Sequence, residues 1–166
     1  MSQPINIALI GNAGVGKTSY LSALGNNQFN SIHRMTNEIG QRIVLMLHNN
    51  ILFHIVIHDF PGTEKYRSLL RQSKQEFDGY LIITDDNRLS FRDVPFWVNE
   101  SQCKGTKPHL IIWNKRDVEI SEEKEVEVRE ILDKCNVEYY CLSSKDKTNL
   151  LQPLLNLTKM ITREEQ

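Results

Sequence analysis

Long apolar runs are missing from these 166 residues; none approaches the roughly 20 needed to cross a bilayer, which excludes a bundle of membrane helices. Cysteine is scarce. Cys103, Cys135 and Cys141 are odd in number and lack C-x-x-C spacing, so the pattern fits neither a disulfide scaffold nor a zinc ribbon. They read as reduced thiols filling the core of a cytoplasmic or nuclear protein. An excess of one charge is lacking too: 20 Lys+Arg against 21 Asp+Glu give a formal net charge of −1. Such a chain has no global attraction to nucleic acid or anionic lipid, and partners must be recognised by local surface. No signal peptide opens it, Ser2 stands where myristoylation needs glycine, and Thr162 to Gln166 hold no cysteine for prenylation, so no lipid anchor is expected. Without repeats, low-complexity tracts or linkers, residues 1–166 are expected to form one domain.

What is present is an alternation of strand and helix patterns. The runs 5–10, 43–47, 51–57, 80–83, 109–113 and 137–141 read as strands. Asn49-Asn50, suited to positive φ, predicts a tight hairpin between the second and third. Helices are predicted over Ser19 to Leu24, after a Ser121 cap with Val128, Ile131, Leu132 and Cys135 on one face, and over Asn149 to Ile161 with Pro153 near its first turn. The stretch 28–38 is polar and reads as irregular. The fold class implied is α/β: a six-stranded, mostly parallel sheet with one antiparallel edge strand and helices on both faces.

After the first strand, Gly11-Asn12-Ala13-Gly14-Val15-Gly16-Lys17-Thr18 matches G-x-x-x-x-G-K-[ST], with Ser19 next in the helix. Glycines let backbone N–H groups curl toward a polyphosphate, and the helix presents its positive end to the same anion. Lys17 then belongs between the β- and γ-phosphates, and Thr18 on Mg²⁺. In an open α/β sheet the ligand sits beyond the carboxyl ends of the strands. Asp59-Phe60-Pro61-Gly62, Asn114-Lys115-Arg116-Asp117 and Ser143-Ser144-Lys145 each follow a different strand there. Any one of these is a common loop sequence; their joint placement is the signal. Asp117 can accept from guanine's N1–H and exocyclic amine, whereas adenine would leave the carboxylate unpaired.

In these motifs the chain resembles a Ras-superfamily small GTPase over nearly its whole length. The resemblance implies a switch that binds GTP or GDP with Mg²⁺ and hydrolyses GTP. It implies that Thr18, Thr36 and Asp59 serve the metal, Thr36 lying 18 residues after Thr18 and 23 before Asp59 as the family template requires. It also implies that Asn114 ties loops together, Lys115 lies along the base and the Ser144 N–H meets the guanine O6. Lys17, Gly62 and Thr63 would face the reacting phosphate. Phe29 is either the aromatic packed on the base or a core residue, Thr36 either the switch threonine or an ordinary loop residue, and His33 either closes over the phosphates or stays in solvent. Effector, exchange and activating proteins would engage 28–40 and 59–75.

The chain also departs from that family. Thr63 replaces the glutamine that orients the attacking water, which predicts slow intrinsic hydrolysis, although the Rap branch shares this threonine and borrows an asparagine from its activating protein. Ala13 replaces a frequent glycine and crowds an incoming arginine finger. Ile32-His33-Arg34-Met35 replaces familiar switch residues, and Gly40 falls two residues late. Residues 91–97 and 136–140 resemble Ran, without its acidic tail. The alternative function is an interaction module that holds nucleotide with little or no hydrolysis. An ATP-using enzyme is disfavoured by Asp117.

Overall fold

Strand β1 (Ile5–Ile10) sets the centre of the structure, a computed structural model that describes residues 3–25, 32–35 (by backbone), 39–62 and 68–164. Its alternation sends Ile7 and Leu9 to one face and Ala8 and Ile10 to the other, and each face is sealed by its own apolar layer. Parallel to β1 on either side run β4 (Ile51–Asp59) and β5 (Gly79–Thr84). β5 is buried at every position, as a strand covered on both faces should be. The parallel series continues through β6 (His109–Trp113) and β7 (Tyr139–Cys141).

β3 (Gly40–His48) pairs antiparallel with β4 from Gly40↔Asp59 to His48↔Ile51, closed by Asn49 and Asn50 at φ 49° and 61°. The mostly parallel sheet with one antiparallel strand is therefore present. It is extended by β2 (Ile32–Met35), which pairs antiparallel with β3 and gives the order β2-β3-β4-β1-β5-β6-β7. Three expectations need correction here. Cys103 is exposed and fills no core. Part of the stretch 28–38 is strand, and the hairpin strand lies one place in from the edge. His33 and Arg34 break any apolar alternation, so β2 owes its form to the unpaired row of N–H and C=O groups along β3.

Helix α1 (Lys17–Gly25) lays Tyr20, Leu21 and Leu24 on the Ile7 face, where α6 (Leu151–Glu164) adds Leu154, Leu157 and Ile161. The Tyr20 hydroxyl donates to Leu150 O at 2.8 Å, tying α1 to the residue just before α6. On the opposite face lie Leu70 of α2 (Leu69–Gln72), Phe91 of α3 (Arg88–Arg92), Val94 and Trp97 of α4 (Val94–Ser101), and Val128 and Leu132 of α5 (Glu122–Lys134). α5 opens as its sequence predicts: Ser121 Oγ accepts from Lys124 N at 3.3 Å, and Glu122, Glu123 and Glu125 occupy its first turn. Beneath the carboxyl end of β4, the buried His58 ring bridges Asn6 Oδ1 at 3.1 Å and Gln41 Nε2 at 3.2 Å, and burial holds its pKa below the ordinary imidazole value. β1, β3 and β4 are thus stitched together immediately before Asp59. Among the described residues no helix is long and apolar enough to cross a membrane.

Candidate functional site

Between the end of β1 and the start of α1, residues 11–16 turn over the carboxyl edge of the sheet, with Gly11, Gly14 and Gly16 at φ 144°, 78° and 97°. Gly16 is constrained twice: its φ is left-handed, and a methyl there would fall on Asn114 Nδ2. Lys17, only 7% exposed, donates from Nζ to Gly11 O at 3.0 Å and Asn12 O at 2.8 Å. Burial lowers its pKa to about 8, against the opposing pull of the Asp59 charge. Thr18 Oγ1 donates to Asp59 Oδ2 at 2.7 Å. Gly62 presses so closely on the loop that a methyl would overlap the backbone of Gly11, Asn12 and Ala13. A cavity of about 470 Å³ lies over Gly14, Lys17, Thr18, Asp59 and Gly62, walled on β3 by Gln41 and Arg42.

A second cavity, about 310 Å³, shares Gly16 and Ser19 with the first and is lined by Asn114, Lys115, Asp117, Ser144 and Lys145. Asn114, 2% exposed, donates from Nδ2 to Val15 O at 3.0 Å, while its Oδ1 accepts from the Ser144 N–H and Oγ, each at 3.0 Å. Lys115, at φ 63°, reaches from Nζ to Gly14 O at 2.6 Å and Asp85 Oδ2 at 2.7 Å. Asp117 Oδ1 accepts from Ser143 Oγ at 2.7 Å, and Lys145 Nζ stands 3.6 Å from Oδ2. The Ser143 hydroxyl, with lesser help from Lys145, holds the Asp117 carboxyl below the usual carboxylate range.

The structure thus brings the residues 11–19, Asp59, Gly62, 114–117 and 143–145 to one edge of the sheet. Phe29, Thr36 and Thr63 lie outside the described residues, and His33 is described only by its backbone. The Ser144 N–H, assigned by resemblance to a base oxygen, here donates to Asn114. Sequence reasoning missed Asp85, although it directly follows β5 and the rule that picked out the other loops applies to it equally. It also missed Arg116, whose guanidinium lies 4.1 Å from the Trp113 ring centroid and pairs with Glu125 at 3.1 Å, bracing the loop from behind.

The donor chemistry fits both implied ligands. Thr18 and Asp59 offer a hydroxyl and a carboxylate within one hydrogen bond of each other, hard oxygen donors suited to Mg²⁺ completing its shell with phosphate and water. Among the described residues no group of three or more His, Cys, Asp or Glu side chains forms an all-protein cage. The N-terminus of α1 and a buried lysine below the first cavity suit a polyphosphate.

The Ras family profile matches residues 6–163. Curated relatives include Ras-related protein Rab-44 of Homo sapiens, 27% identical over 165 residues, covering 97% of this chain and 16% of its own length. Rab-32D of Dictyostelium discoideum is 28% identical, covering 99% and 77%, and Rab-27A of Rattus norvegicus 29% identical, covering 96% and 79%. The chain therefore spans about one sixth of Rab-44 and over three quarters of the other two. Their names lie with Rab, and the resemblance of 91–97 and 136–140 to Ran gains no support from them. A small G-protein architecture, a phosphate loop joined to an N-K-x-D loop, and a family match across nearly the full length agree: the chain belongs to the Ras family of small GTPases.

Proposed function

We propose that the chain is a GTP-binding switch that hydrolyses GTP to GDP and phosphate, slowly without an activating protein. The observation that carries this reading is the adjacency of the two cavities, both lined by Gly16 and Ser19, with Lys17 in one and Asp117 in the other. Lys17 would exchange its bonds to Gly11 O and Asn12 O for phosphate oxygens. Asp117, oriented by Ser143, would accept from the guanine edge, and Lys115 would lay its stem along the ring. Mg²⁺, when bound at Thr18 and Asp59 with Thr36, supplies charge neutralisation on the phosphates. Gly62, close to the loop backbone, would place its N–H near the terminal phosphate, so that its loss releases the 59–62 segment together with Thr36. Effector, exchange and activating proteins would read that difference through 28–40 and 59–75.

The runner-up is a module that binds nucleotide with little hydrolysis, favoured by Thr63 and Ala13 in place of the usual catalytic neighbours. Denaturing freshly purified protein and identifying the released nucleotide tests both. GDP or GTP supports both and ATP defeats both; a GTP hydrolysis time course with and without cell extract then separates them, phosphate release supporting the switch and none in either supporting the module.

A further inference from the structure

Asn12 carries bonds that the nucleotide site does not require. Its Oδ1 accepts from the Trp97 indole N–H at 2.7 Å, and its Nδ2 donates to Asp93 Oδ2 at 2.8 Å and Leu89 O at 3.2 Å. Because indole is a donor only, this contact fixes the amide's orientation; reversal would set two donors against each other and an oxygen against a carboxylate. Trp97 is 3% exposed, so an unpaired indole N–H there is costly. Asp93 stands at the N-cap of α4 yet makes no side-chain capping bond, its carboxylate being turned to Asn12 instead.

The backbone of the same residue faces the phosphate chemistry. Asn12 O accepts from Lys17 Nζ at 2.8 Å, and Gly62 packs against the Asn12 carbonyl carbon. One residue thereby joins helix α4 to the lysine and to the D-x-x-G loop. We propose that Asn12 is a positioning residue, its amide held by Trp97 and Asp93, that pins the first turn of the phosphate loop to α4 and so sets how long a nucleoside diphosphate is retained. The loop's N–H groups bind an anion best when their orientation is fixed beforehand, and the amide fixes it from outside the cavity. This rests on the nucleotide reading above.

The test is the dissociation rate of mant-GDP, chased with excess GDP, from the full chain with Mg²⁺. Asn12→Leu and Trp97→Phe should each accelerate release about tenfold, and together no more than Asn12→Leu alone, because that substitution already removes the Trp97 bond along with those to Asp93 and Leu89. Asn12→Asp opposes two carboxylates and should accelerate release as well. The reciprocal exchange, Asn12→Asp with Asp93→Asn, restores the bonds to residue 93 and Trp97 but leaves Leu89 O facing a carboxylate oxygen, so it should release at least about threefold more slowly than Asn12→Asp without reaching the wild-type rate. A packing role alone gives no such rescue. Single-variant rates within twofold of wild type, multiplying effects in the double variant, or an exchange no slower than Asn12→Asp overturn the proposal; if Asn12→Leu does not fold, the exchange decides. A wild type that holds no mant-GDP defeats the nucleotide reading itself, before any variant is made.

Discussion

The Thr18 hydroxyl donates to Asp59 Oδ2 at 2.7 Å, joining the first turn of α1 to the last residue of β4 across the floor of the larger cavity. If both oxygens serve Mg²⁺, chelation by EDTA should accelerate mant-GDP release from wild type by at least about tenfold, since the metal holds the phosphates. Thr18→Ala should release quickly from the start and respond to EDTA by less than about twofold. An undiminished response in that variant would remove Thr18 from the metal site.

Asp117 and Ser143 make a pair whose function is separable from stability. Asp117→Ala should weaken GDP binding on the order of 100-fold, the equivalent of two charge-assisted hydrogen bonds, and abolish the preference for GTP over ATP in competition. Retained preference would overturn the base assignment. The Asp117 carboxyl is held below its ordinary value, so its contribution is complete above the usual carboxylate range and lost only as pH falls through the depressed pKa. Attributed to this group, affinity should be flat from about pH 7 to pH 5 and decline first near or below about pH 4. Ser143→Ala should move that decline upward.

Lys17 titrates in the opposite sense. Its pKa is lowered to about 8 by burial, while neighbouring phosphate favours the charged form. Between pH 8 and the ordinary lysine value of 10.5 the unfolded chain binds more protons, so in the absence of nucleotide this group makes the fold more stable as pH rises. Binding nucleotide above pH 8 should therefore take up close to one proton, and affinity should fall by up to about tenfold per pH unit. Calorimetry at pH 9 in buffers of differing ionisation enthalpy measures the uptake, and Lys17→Met should abolish it. No uptake in wild type would mean that Lys17 does not meet the phosphates.

If Thr63 stands where the attacking water is oriented, it bears on rate rather than on binding. Its hydroxyl is too short to contact an attacking water and the γ-phosphate together, so Thr63→Gln should raise single-turnover GTP hydrolysis about tenfold at unchanged nucleotide affinity. An unaltered rate would clear Thr63 of responsibility.

Much of this site was legible in the chain because its chemistry sits immediately after strands whose apolar runs are plain. Gly11 to Thr18, Asp59, Asn114 and Ser143 could all be found from that rule, and Ser121 and Asn49-Asn50 announced their cap and turn through side-chain chemistry alone. β2 was hidden, since its polar residues borrow their order from an edge that another segment supplies. The bond from Asn12 to Trp97 was hidden for a different reason. Its partners lie 85 positions apart, and nothing local in either sequence calls for the other. Asp85 could have been found; it follows β5 without a glycine or a familiar motif to flag it.

Asn114 grips Val15 O with one end of its amide and Ser144 with the other. Such a clasp ties the walls of the two cavities together, so that slackening one should loosen the other. On the nucleotide reading, a bare purine or a free pyrophosphate should then be a poor key beside the intact molecule.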